Sequence, residues 1–225
     1  MSRCIVVGLV GMAGVVAACG GDEITTPVGD ARVRLVNASF AFDLYELSID
    51  EELVAQNVSF GPGSCIDVPS GLRSFIFHGN GGEITTLDGN LAPDVDYALL
   101  LYDDADGEPA VGSLITDVQT PAAGQNALRF VNISGANGDV FLTDATTDPS
   151  GDPAIDGLDN ERFTAFGIAE VEQSVVWLFP DDEVTEPIAS ITLPALSERI
   201  GTVVFVGAGR AGGETALVFE PCPVS

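Results

Sequence analysis

Arg34-Leu35-Val36-Asn37-Ala38-Ser39 returns about 95 residues later as Arg129-Phe130-Val131-Asn132-Ile133-Ser134. A recurrence at that distance signals an internal repeat, and it decides how the rest of the chain divides. Working outward, Asp43-Leu44-Tyr45 is matched by Asp139-Val140-Phe141, and Phe60-Gly61 by Phe166-Gly167. Ser74-Phe75-Ile76-Phe77 then answers to Val176-Trp177-Leu178-Phe179, and Tyr97-Ala98-Leu99-Leu100-Leu101 to Thr202-Val203-Val204-Phe205-Val206. The matches fall in one order along the chain. Between the copies, Pro121-Ala122-Ala123-Gly124-Gln125 has the composition of a boundary. The repeat predicts two domains, residues 31–120 and 126–225, joined by a linker at 121–125.

Each copy reads as β structure. Arg32-Val33-Arg34-Leu35-Val36 alternates as a half-buried strand should. Short apolar runs follow at 44–49, 53–60, 72–77 and 97–102, separated by Gly, Pro, Asp and Asn, with a chain reversal expected at Asp50-Glu51-Glu52. No run of ten or more residues keeps a helical period. The fold class is therefore all-β: two tandem antiparallel β-sandwiches, immunoglobulin-like or transthyretin-like. The expected inward residues are Val33, Leu35 and Tyr45 in the first copy, and Leu128, Phe130 and Phe141 in the second. Trp177 is expected as a core filler.

The amino terminus carries an address. Arg3 precedes a short apolar stretch from Ile5 to Val16, and small residues lead to Ala17-Ala18-Cys19. This is the layout of a secretory signal, too short for a membrane span. It resembles the lipobox of bacterial lipoproteins, which implies cleavage before Cys19 and lipidation of that cysteine. Residues 1–18 are then the signal peptide and residues 19–30 a polar tether. Gly20, rather than aspartate, follows the cysteine, which by the same resemblance implies a lipid-anchored cell-envelope protein of the outer membrane.

Composition narrows the function. The 34 acidic residues face 8 basic ones, all arginine, for a net charge of −26. Such a surface repels phosphate backbones, so nucleic acid is excluded as a partner. The absence of lysine excludes Schiff-base chemistry. With Cys4 in the signal and Cys19 lipidated, Cys65 and Cys222 remain, and in an oxidising compartment they are expected to bridge.

Arg34 to Ser39, then Asp43-Leu44-Tyr45, Leu53-Val54, Val58, Phe60-Gly61 and Val68-Pro69-Ser70-Gly71 together resemble the bacterial domain of unknown function 4397. The likeness implies exported or surface-attached β-sandwiches, often tandem, with no catalytic residues to carry over. It departs at Phe40, where the family usually has proline, and at Glu172-Gln173-Ser174 in the second copy.

Candidate chemistry is sparse. His78, the only histidine, reads as a turn residue without a triad or zinc partner. Asp103, Asp104, Asp106 and Glu108 surround a glycine as calcium ligands can, yet the set lacks a bidentate glutamate at its far end, so a solvated hairpin turn is expected, with at most a weak calcium site and no other cofactor. The stretch from Asp144 to Glu161 reads as a mobile acidic loop. Asn37 and Asn132 are read as Asx residues bonding nearby backbone where their strands end. The function expected is that of a non-catalytic binding or structural module, with a basic or cation-bridged envelope partner engaged through Asp144–Arg162. The alternative is a carboxylate-dependent hydrolase of envelope glycans or peptides.

Overall fold

The computed structural model describes residues 29–116, 119–145, 147–170, 172–181, 183–196, 199–206 and 215–223. The signal stretch, Cys19 and residues 20–28 of the expected tether lie outside them, while Asp30, expected at the tether's end, opens the first strand. The first half contains β1 (Asp30–Asn37), β2 (Leu44–Ile49), β3 (Glu52–Ser59), β4 (Gly61–Pro69), β5 (Gly71–Gly79), β6 (Gly82–Leu91), β7 (Asp96–Asp103) and β8 (Pro109–Ile115). The second contains β9 (Gln125–Asn132), β10 (Gly138–Thr143), β11 (Ile155–Leu158), β12 (Arg162–Phe163), β13 (Gly167–Glu170), β14 (Val175–Pro180), β15 (Ala189–Thr192), β16 (Ile200–Phe205) and β17 (Ala216–Phe219).

Four sheets result, and the two halves share one topology. The orders β3-β2-β5-β6 and β4-β1-β7-β8 in the first half are answered by β11-β10-β14-β15 and β12-β9-β16-β17 in the second, with β13 also paired to β9. The long strand β4 corresponds to the two short strands β12 and β13. Neighbouring strands are antiparallel except β1 with β7 and β9 with β16, which run parallel.

Three apolar layers bind these sheets into a stack. Val33, Leu35, Tyr45, Leu47, Phe75, Phe77, Leu99 and Leu101 fill the first sandwich. Leu128, Phe130, Val140, Val176, Leu178, Val203 and Phe205 fill the second. Between the sandwiches, Val36, Ala38, Ala98, Leu100 and Leu114 meet Val131, Ile133, Val204, Val206, Leu217 and Phe219. The central strands of the inner sheets thus have no solvated face. Of these, β7 and β16 are apolar on both sides, as strands covered on both faces must be.

This corrects the half-buried reading of Arg32 to Val36. Its second face meets the other half of the chain: Val36 joins the layer between the sandwiches, and Arg34 donates to the Pro221 carbonyl at 3.1 Å. A second correction concerns Phe141. Side chains of a strand alternate between faces, so a one-residue offset exchanges core for exterior. In β10 the residues facing the sandwich core are Val140 and Leu142, while Phe141 is buried as expected but on the opposite face of the sheet, edge-on to Phe179 at 5.7 Å. Trp177 lies there too, stacked on Phe179 at 6.2 Å and donating to Thr143 Oγ1 at 2.9 Å. It is not a core filler.

Candidate functional site

The repeat's arginines tie the stack together. Arg34 in β1 reaches Pro221 after β17, and its counterpart Arg129 in β9 reaches the Ile115 carbonyl at the end of β8, at 2.8 Å. Each sandwich holds the last strand of the other, the reciprocity of a two-fold interface. Arg129 also lies 4.3 Å over the Phe166 ring. Burial lowers the pKa of both, Arg129 to about 10, while Glu220 and Asp96 partly offset the effect at Arg34. Arg32 adds a bond to Pro223 and an ion pair with Asp96. On the same segment Cys222 forms a disulfide with Cys65 of β4, with Cα atoms 5.8 Å apart.

The two asparagines of the repeat are fully buried. Asn37 Nδ2 donates to the carbonyls of Phe42 and Val58, and its Oδ1 accepts from the Ser39 amide. Asn132 bonds to Ala136, Leu158 and Ser134 in the same way. Both close the loop after their strand.

At one end of the junction a cleft of about 580 Å³ opens between the loop after β1, the turn after β7 and the loop after β9. The acidic turn lies here. Asp103 accepts from Ser39 Oγ at 2.6 Å, from the Phe40 amide at 2.6 Å and from the Ala41 amide at 3.2 Å. Asp104 Oδ1 accepts from the Asp106 and Glu108 amides, and Gly107 takes a positive φ of 78° to complete the turn. Glu161, from the second sandwich, accepts from the Ala105 amide at 2.8 Å. Asp103 and Asp104 are thus bonded to backbone, and among the described residues no group of three or more His, Cys, Asp or Glu side chains converges as metal ligands do. Burial raises the pKa of the adjacent Tyr102, and the charges of Glu161 and Asp104 raise it further.

The stretch from Asp144 to Glu161 is not one loop. Its second part forms β11 against β10, and the Gly157 amide donates to Asp139.

His78 sits within β5 rather than at a turn. Its Nε2 lies 3.2 Å from Ser48 Oγ on β2. The register sets Glu46 opposite His78 on one side and Glu83 on the other. These residues belong to the outer face of the first sandwich, which forms an open trough of about 630 Å³ bounded by the loop after β1, by β3 and by the turn after β5. Asp43, Leu44, Leu53 and Asn57 complete its walls. β-Bulges flank it on both sides. Gln56 and Asn57 face Glu46 in β3, with Asn57 at a φ of 56°, and Ile84 is the extra residue of β6 beside His78. A side chain at Gly79 would run into Ile84 and Phe42, so the trough's end requires glycine. Sequence reasoning missed this site because its members come from strands some 30 residues apart. The lone histidine in an apolar run was the available signal.

The family model for Domain of unknown function (DUF4397) matches residues 31–143, just over half of the chain. The chain belongs to this family. The DUF4397 match covers the first sandwich and runs on through β9 and β10 of the second. No curated protein matches the chain. Among solved structures, one of alpha-glucan binding by a streptococcal virulence factor aligns at 14% identity with a TM-score of 0.26, covering 84% of this chain and 96% of that one. A likeness at that level carries no argument about this chain.

Proposed function

We propose that the protein is a non-catalytic, lipid-anchored envelope module that works by surface contact, built from tandem copies of the DUF4397 sandwich. The observation that carries this reading is the stack itself. Arg34, Arg129, Asn37, Asn132, Asp103 and Asp104, the polar residues that stand out in the sequence, are bonded to backbone within and between the sandwiches. What remains is a scaffold with two outer sheet faces and a rim of loops, where binding residues ordinarily concentrate. A hydrolase with paired carboxylates would need one whose pKa is raised, and Asp50 is shifted the other way, lowered chiefly by the bond from the Ser74 amide.

The lipid at Cys19 and an outer-membrane address rest on the lipobox resemblance. A basic or cation-bridged partner rests on the net charge of −26. Fractionation of the Cys19→Ser variant tests the anchor: the variant is expected in the soluble fraction, and a membrane-bound variant beside a wild type without lipid mass would reject it. Crosslinking in the native envelope tests the contact reading and is expected to return a basic protein whose capture falls as salt rises. Deletion of residues 145–153 asks whether the loop before β11 is the contact surface. Turnover in a hydrolase screen, abolished by a single Asp or Glu substitution, would overturn the proposal.

A further inference from the structure

We infer that the trough on the outer face of the first sandwich is a binding site for an arginine side chain of a partner polypeptide. This rests on the contact-module reading and supplies it with a site and a ligand chemistry. Charge sets the sign of the ligand. Asp43 and Glu46 line the trough, Glu83 follows across His78, and no arginine is among the lining residues. An anionic ligand would be repelled there.

Shape narrows the choice to a cation on an aliphatic stem. Leu44 and Leu53 are 49% and 46% exposed beside the carboxylates, so they can cover methylene groups while the charged head remains at Glu46. Planarity favours guanidinium over ammonium. His78 stands opposite Glu46, and the Ser48 hydroxyl steadies its ring. A planar guanidinium can stack on the imidazole while its N–H groups bond to the carboxylate, which an ammonium cannot do.

The trough also has the marks of a built feature. Bulges in β3 and β6 bracket the Glu46–His78 pair, and such bulges re-aim side chains beside binding sites. On the corresponding face of the second sandwich, β14 and β15 pair without a register shift, although β10 and β11 have one, and the buried Phe141 and Phe179 pack there with the half-buried Trp177. The acidic turn at Asp103–Glu108 is the competing cation site, but the oxygens of Asp103 and Asp104 already accept backbone N–H groups.

The test is a titration of the isotope-labelled, folded chain with the blocked peptide Gly-Arg-Gly, followed by amide shifts. Saturable shifts are expected at Glu46, Ser48 and His78. Glu46→Gln should weaken binding about fivefold, as expected for a solvent-exposed ion pair. Asp106→Asn should leave it unchanged, and the Gly-Lys-Gly peptide should bind less tightly. Shifts centred on residues 103–108, non-saturating shifts over the whole surface, equal binding by Glu46→Gln, or equal affinity for the lysine peptide would each overturn the assignment. So would a trough that responds to a neutral maltotriose probe and not to the arginine peptide. None of these results bears on the envelope crosslinks, so the site can fail while the contact reading stands.

Discussion

The two sandwiches share a strand order and differ in what their outer faces carry. Inside the stack the correspondence is close: β1 and β7 face β9 and β16, Arg34 is answered by Arg129, and Asn37 by Asn132. On the outside it fails. The first sandwich has an open polar trough, and the second an aromatic cluster. The first turns from β2 to β3 through Asp50 and Glu51, whereas residues 144–154 separate β10 from β11. The physical reason lies in burial. A residue between two sheets must fit neighbours on both sides, so size and polarity are fixed by packing. An outer-face residue has one packed neighbour layer and is open to change. The inner sheets keep what the halves share, and the outer faces hold what distinguishes them.

The largest expected effect comes from the covalent tie between the halves. Cys65 and Cys222 are 157 residues apart in sequence. Closing a loop of that length stabilises the folded state by about 5 kcal/mol in the chain-entropy model. Cys222→Ser should lower the denaturant midpoint accordingly, with little change in the slope. Should unfolding then separate into two transitions, the apolar layer between the sandwiches would be too weak to keep them one cooperative unit.

The buried asparagines test the symmetry of the inner sheets. Asn37→Ala and Asn132→Ala each remove bonds to two carbonyls and one amide, and Asn132→Ala also a bond from the Ser134 hydroxyl, leaving buried polar groups unpaired. Each should cost about 3 kcal/mol. Equilibrium unfolding of both variants is the measurement. A difference greater than about 2 kcal/mol would show that the repeat preserves the residue without preserving its role.

Tyr45 separates the two cores. It is buried in the first sandwich, and its hydroxyl finds no hydrogen-bond partner among the described residues. The aromatic pair of the second core, Phe130 and Phe205, carries no hydroxyl. Tyr45→Phe should therefore stabilise the protein by about 1 kcal/mol. Burial raises the Tyr45 pKa above its ordinary value, so the folded state keeps the proton. In wild type this stability is present below the free phenol's pKa of about 10 and lost as pH rises above it. A parallel alkaline decline in Tyr45→Phe would show that other groups cause it.

Much of this organisation is legible in the sequence. The repeat and the turn residues define the all-β class, and Val33, Leu35, Tyr45, Leu128 and Phe130 are core residues as expected. Phe141 misleads because Asp139-Val140-Phe141 parallels Asp43-Leu44-Tyr45 in sequence while the two strands are offset by one residue in the fold, and in a strand one residue is a change of face. Double burial of the inner sheets is visible only as unbroken apolar runs at 97–101 and 203–206, since a periodicity cannot name the sheet that covers its second face. The trough is the least legible feature. Ser48, Glu46 and His78 become neighbours through cross-strand pairing, and the bulges that frame them leave no mark in local composition.

The smallest expected effect lies at the turn that the second sandwich lacks. Asp50 and Glu51 both have positive φ, 49° and 72°, the geometry of a tight hairpin turn that favours Asn or Asp followed by Gly. Glu51 has no side-chain reason to occupy that region, so Glu51→Gly should raise stability by about 0.5 kcal/mol, the relieved strain exceeding the added freedom of the unfolded chain. Asp50 is different. It accepts from the Ser74 amide at 3.0 Å and pairs with Arg73 at 2.9 Å. Its pKa is lowered chiefly by the bond from the Ser74 amide, opposed next by burial, and lowered further by Arg73. A lowered carboxylate pKa gives stability that is complete above the unfolded value, about 3.9, and is lost as pH falls through the folded one. Asp50→Asn should remove this small stabilisation at neutral pH and leave low pH unchanged, so the acid limb of the stability profile below pH ~4 flattens. Asp50 is half-exposed, so solvent screens the pair and the change is the smallest of the series. If the acid limb is unaltered in Asp50→Asn, the hairpin turn contributes no pH dependence, and this difference between the halves is one of chain length alone.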